Sequence, residues 1–139
     1  MSCILRVAGK DLNLKDLLKI NLKPDSTYEK GSPRRKGSKS SSSGARYVVS
    51  EADFDQFEQQ KLDAIKFLKR NKDRIQEIMD LNGIDGADLD FGIHRRDVPV
   101  QCDNFPSDLI KLAGNLGLGL ELSQYPSDEG DEEESEPTL

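Results

Sequence analysis

The sequence predicts an α+β fold: a single domain on a mostly antiparallel or mixed sheet of about five or six strands, with two or three helices packed on one face. Three observations carry this. Segments in which apolar and polar residues alternate recur from the first ten residues to the last ordered stretch. Between them lie segments with apolar residues at helical spacing, in an irregular order that fits neither a bundle nor a regular βαβ series. Setting aside the last thirteen residues leaves 126, enough for one domain and too few for two.

Each element is justified by its residues. Cys3, Leu5 and Val7 alternate with Ile4, Arg6 and Ala8, a strand ending at Gly9 that is apolar on both faces except at Arg6 and therefore central. Asn13 is a good helix N-cap, and Leu14, Leu17 and Leu18 come after it at helical spacing, so a short helix is expected to about Leu22, before Pro24. Residues 27–30 can form a second short strand. Residues 31–44, basic and serine-rich, hold no apolar residue to bury, which predicts a flexible loop or hairpin tip over 32–44. Arg46, Tyr47, Val48 and Val49 have high β propensity, and Ser50 is placed to cap the helical stretch after it.

Phe54, Phe57, Leu62, Ile65, Leu68, Ile75 and Met79 suit a helix. Unbroken from 51 to 81 it would be about 46 Å long, longer than the roughly 35 Å body. A break is therefore expected near 57–59, with a main helix from about Gln59 to Leu81, ended by Asn82 and Gly83. Ala87, Leu89, Phe91 and Ile93 alternate with Asp88, Asp90, Gly92 and His94, the clearest strand in the chain. Val98, Val100 and Cys102 predict a sixth extended segment, which Pro99 would confine to a sheet edge, and Cys102 reads as core. Pro106, Leu109, Leu112, Ala113 and Leu116 describe a last helix stopped by Gly117, and Leu118, Leu120 and Leu122 a last strand.

Charge and cysteine content narrow the function. Residues 127–139 hold seven acidic side chains and no basic one, which predicts a disordered acidic tail; without them the formal charge of −6 becomes +1. A nearly neutral body has no long-range field to steer a polyanion, which argues against a nucleic-acid partner. Two cysteines a hundred residues apart and one histidine exclude a disulfide scaffold and a structural zinc site, and no cofactor motif is present. No signal peptide or long apolar run is visible, so a cytoplasmic protein with no membrane partner is expected.

The chemistry-bearing candidates are few. Asp90-Phe91-Gly92 and His94-Arg95-Arg96-Asp97 share letters with kinase signatures, but in the wrong order, almost contiguous, and without a glycine-rich loop. His94 has Asp97 nearby as a possible orienting carboxylate, making the pair a weak catalytic candidate beside a solvated strand end. Six basic residues and no acidic one lie from Lys30 to Arg46. Within and around that run Tyr28, Lys30, Arg34, Arg35 and Lys36, together with Arg95 and Arg96, are the binding candidates, suited to phosphates or carboxylates.

Three patches bear a resemblance. Ile4-Leu5-Arg6-Val7-Ala8-Gly9, then Tyr28-Glu29-Lys30-Gly31-Ser32-Pro33-Arg34, then Leu89-Asp90-Phe91-Gly92-Ile93 with Phe105-Pro106 and Leu118-Gly119-Leu120-Glu121-Leu122 resemble a family of small bacterial proteins known only as a domain of unknown function. The resemblance covers most of residues 3–126. It implies a bacterial cytoplasmic α+β domain and carries over no catalytic residue. By analogy, such small groups include immunity proteins that neutralise a toxin. The expectation is therefore a non-enzymatic binding or interaction module for a protein or an anionic ligand. The alternative is a small enzyme or ligand-binding domain that uses His94 and Asp97 with Arg34 and Arg35 on an anionic substrate.

Overall fold

The computed structural model describes residues 1–126. The acidic segment 127–139 lies outside them. Five strands, β1 Cys3–Gly9, β2 Ser26–Tyr28, β3 Ser43–Ser50, β4 Gly86–His94 and β5 Gly119–Tyr125, form one mixed sheet in the order β2-β3-β1-β4-β5. Strand β1 is in the middle, as its two apolar faces predict. It pairs antiparallel with β3 and β4, β2 pairs antiparallel with β3, and β5 runs parallel to β4. Four helices complete the α+β domain: α1 Leu14–Leu18, α2 Phe57–Arg70, α3 Lys72–Met79 and α4 Ser107–Asn115.

One sheet face carries the core. The register sets Leu5 between Tyr47 and Leu89, and Cys3 beside Phe91, all fully or almost fully buried. Ala64 and Leu68 of α2, Ile75 and Ile78 of α3, and Leu109 and Ala113 of α4 join the same cluster. Phe57 and Phe105 meet Phe91 edge-on or tilted, at 5.9 and 5.1 Å between ring centroids. Two polar side chains fix helix α2 to its surroundings. Gln60 Nε2 donates to the Gly92 carbonyl of β4 at 2.8 Å, and Lys61 Nζ donates to the Asn104 carbonyl at 2.8 Å.

Three local expectations change. Helix α1 starts after Asn13, whose Oδ1 accepts from the Lys15 and Asp16 N–H groups, but it ends at Leu18 rather than near Leu22. The long helix begins at Phe57 and breaks at Asn71 instead of near 57–59. Asn71 has left helical geometry at φ −108°, and its side-chain amide donates to the Phe67 carbonyl, competing with the helix's own bonding. Residues 98–102 form no strand: Val98 and Val100 are 47% and 72% exposed, and Cys102 is exposed rather than core. The reason is topological. Since β4 and β5 are parallel, the chain must travel back along the sheet between them, and the segment with the look of an edge strand is the start of that return.

Of the two forms expected for the basic, serine-rich stretch, the hairpin is the one observed: residues 31–42 fold into a narrow two-stranded arm beyond β2 and β3. Gly31 N–H donates to Ser40 O at 2.8 Å, Ser40 N–H to Ser32 O at 2.9 Å and Arg34 N–H to Ser38 O at 2.8 Å, and Pro33 bridges Lys39. The short 3-10 segment Arg35–Gly37 closes the tip. Lys36 at φ 58° and Gly37 at φ 77° are both left-handed, as a type I′ hairpin turn requires, and Ser38 N–H donates back to Arg35 O. Strand β3 then starts at Ser43, within the stretch expected as loop or hairpin tip.

Candidate functional site

Successive strand residues point to opposite faces, so the register also defines the face opposite the core. On it lie Ile4, Arg6 and Ala8 of β1, Gly44 and Arg46 of β3, Gly86, Asp88 and Asp90 of β4, and Glu121 and Ser123 of β5. Tyr28 of β2 pairs with Gly44, and its ring lies so close over that glycine that any Cβ there would collide with the phenol. The Arg46 guanidinium sits 5.0 Å from the same ring's centroid, in cation–π range.

Arg6 organises the middle of this face. Its Nη1 donates to Asp90 Oδ2 at 2.6 Å, and the Ser123 hydroxyl donates to Asp90 Oδ1 at 2.6 Å, so both oxygens of the 7%-exposed Asp90 carboxylate are engaged. Asp88 stands directly opposite Arg6 in the register, yet its Oδ1 is buried with no hydrogen-bond partner among the described residues. Burial pushes the Asp88 carboxyl above its ordinary range; Arg6 pulls it back in part, and the Asp90 charge raises it further. Burial opposes the charge on Arg6 too, but the bond to Asp90 and the fields of Asp90, Asp88 and Glu121 outweigh it and hold the guanidinium above its ordinary value. Three carboxylates therefore share one arginine.

Beside this cluster the sheet surface sinks into a depression of about 800 Å³. Ala8, Gly86 and Gly119 are among its small lining residues, Tyr28, Ser41 and Ser42 also line it, and Arg6, Lys10, Asp85, Asp88 and Glu121 supply its charge. The small residues matter because longer side chains at these three places would fill the space.

At the other end of β4, His94 packs edge-on against Phe54 at 5.4 Å, and Phe54 stacks on Tyr125 at 5.0 Å. A recess of about 410 Å³ there is lined by Met1, Glu51, Ala52, Asp53, Phe54, Asp55 and His94. His94 Nδ1 is buried without a partner among the described residues, and Asp97 does not line the recess. Arg95 and Arg96 are exposed, and Arg96 pairs with Asp103 at 3.2 Å. Arg34, Arg35 and Lys36 belong to the arm, which joins the sheet at the Gly86 end. Eight residue steps of about 3.3 Å separate Gly86 from His94, so the fold does not gather His94 with Arg34 and Arg35. Cys3 is no nucleophile, because burial above all, with the Asp90 and Asp63 charges, drives its thiol far above the ordinary range.

Of the binding candidates read from sequence, Tyr28 alone lines the depression. Sequence reasoning missed Arg6, Asp88 and Glu121. The one signal for them is the polar break that Arg6 makes in an otherwise apolar strand, together with the acidic alternation of Asp88 and Asp90. No protein-family model, no curated protein and no solved structure matches the chain. Among the described residues no helix is long and apolar enough to cross a membrane, and no group of His, Cys, Asp and Glu is arranged to hold a metal.

Proposed function

We propose that this chain is a non-enzymatic binding module that takes a cationic side chain of a partner protein into the depression on the uncovered sheet face. The observation that carries the reading is the donor shortage around Arg6: Asp88, Asp90 and Glu121 surround one guanidinium, and Asp88 Oδ1 is left buried without a hydrogen bond. A buried acceptor that lacks a donor destabilises the free protein, and a lysine or arginine from outside supplies both the proton donors and the missing charge. The depression's volume lies in the range that ligand sites occupy, about 300–1,000 Å³. The acidic side chains Asp85, Asp88 and Glu121 in the depression suit a basic partner at contact range. An immunity-type partnership with a basic toxin is one version of this reading. The enzyme alternative loses support because its histidine and its arginines stand at opposite ends of the sheet.

Amide chemical shifts of the labelled protein, recorded while an arginine-containing tetrapeptide is added, test this. Shifts centred on Ala8, Gly86 and Gly119 are expected, with Asp88→Asn weakening the interaction about tenfold, the loss of one charge-assisted bond. Shifts centred on His94, or none up to millimolar peptide, would refute the reading.

A further inference from the structure

The outer part of the arm, residues 30–39, lines neither the core nor the depression, and its construction points to a different partner. Residues 33–39 are all exposed. Lys30, Arg34, Lys36 and Lys39 form no ion pair with any described residue. Apart from Pro33 the arm offers no apolar or aromatic side chain, so it lacks the buried anchors that give protein interfaces most of their affinity. What it offers is positive charge and serine hydroxyls on a backbone held by its own cross-strand hydrogen bonds.

The placement of the charges narrows the choice. Pro33 and Lys39 are bridge partners, so Lys39 projects on one face of the ribbon and Arg34, the next residue after Pro33, on the other, with Lys36 at the tip. A flat acidic surface meets one face of a ribbon at a time. A groove with anionic walls on both sides meets both faces and the tip at once. The major groove of B-form DNA, about 12 Å wide and bordered by two phosphate backbones, admits a two-stranded β-ribbon. The tip residue adds to this. The first central position of a type I′ turn ordinarily goes to asparagine, aspartate or glycine, which tolerate positive φ. Here it holds Lys36 at φ 58°, which gains nothing for the turn and adds a charge at the point of deepest insertion.

We propose that this arm inserts into the major groove of double-stranded DNA and binds through the flanking phosphates. The body's near-neutrality does not oppose this. Screening at physiological salt confines interactions between exposed charges to about 8 Å, so a ribbon whose residues 33–39 are all exposed acts through its own charges at contact range. The inference is independent of the depression and its cationic partner.

The test is fluorescence anisotropy of a labelled duplex of about 20 base pairs and mixed sequence, titrated with the full chain between roughly 50 and 200 mM salt. Four phosphate contacts predict a log–log salt slope of about −3.6. Changing Arg34, Lys36 and Lys39 together to alanine should flatten it by about 2.7 and weaken binding at the low-salt end by more than about tenfold. Lys36→Gly suits the turn and keeps the fold in any case; it should flatten the slope by about 0.9, while Arg34→Lys should change affinity less than about twofold. Three results would overturn the proposal. One is no binding at the low-salt end, or a slope unmoved by these changes. Another is tighter binding to poly-glutamate than to the duplex, which identifies an acidic protein as the partner. The third is equal or better binding to double-stranded RNA, whose deep, narrow major groove excludes a ribbon.

Discussion

The two faces of one sheet obey different rules in this molecule. On the covered face Cys3, Leu5, Tyr47, Leu89 and Phe91 are shut away from water beneath the helices, and any large apolar side chain that fits serves the purpose. On the open face Arg6, Asp88, Asp90, Glu121 and Ser123 occupy strands of the same sheet, and each depends on which polar group the neighbouring strand brings alongside. Burial of apolar area is non-directional, whereas hydrogen bonds and ion pairs are not. The first face therefore accounts for most of the fold's stability, and on the second a change of one residue leaves a particular neighbour without its polar partner.

The largest effect that bears on this contrast is expected at Phe91, which is fully buried against Phe57 and Phe105. Phe91→Ala removes the centre of that aromatic cluster and should cost about 3–5 kcal/mol in urea unfolding. A loss below about 1 kcal/mol would mean that the helices do not depend on this face. An intermediate effect is expected at Arg6. Arg6→Ala leaves the Asp90 carboxylate, 7% exposed, with the Ser123 hydroxyl alone, and should cost about 2 kcal/mol. Adding Asp90→Asn should restore much of that loss, since the two residues interact directly. Strictly additive losses would show that the pair is uncoupled and that the open face is not organised around Arg6.

The same contrast explains what could be read from sequence. Strand β1 was legible from its nearly unbroken apolar run, β4 and the core part of β5 because one apolar face imposes a period of two, and Asn13 and Gly117 marked helix ends by their own chemistry. The break at Asn71 was not legible, because a single asparagine inside a helical pattern usually stays helical. Val98, Val100 and Cys102 alternate like a strand but lie exposed in the connection from β4 to α4 and pair with no strand. For the arm the sequence left loop and hairpin open, because its turn is Lys36-Gly37 rather than Asn-Gly and its ladder is made by serines and a proline with no apolar periodicity. The cluster on the open face was hidden for a more general reason. Arg6 and Asp90 are 84 residues apart, and only the register of β1 against β4 makes them neighbours.

The smallest effect, and the sharpest test of the open face, is at Asp88. Its carboxyl is held above the ordinary range by burial first, with the Asp90 charge adding and Arg6 opposing. A carboxyl whose pKa is raised by folding stabilises the native state while it is protonated. That contribution is complete below the unfolded pKa of about 3.9 and is lost as pH rises through the folded value. At neutral pH the ionised Asp88 is therefore a net cost to the free protein, and Asp88→Asn should raise stability there. The gain should be about 0.5 kcal/mol or less, because the residue is only partly shielded from solvent. It should shrink on acidification and vanish near about pH 3, where the native aspartate is neutral as well. Urea midpoints of the two proteins from about pH 3 to about pH 8 measure it. A variant less stable at neutral pH would mean that the pairing of Asp88 with Arg6 outweighs its burial, and the donor shortage on which the binding reading rests would not exist. A variant more stable at neutral pH but weaker in holding the arginine peptide would show that a carboxylate is kept at this position at the expense of stability, as residues that serve binding often are.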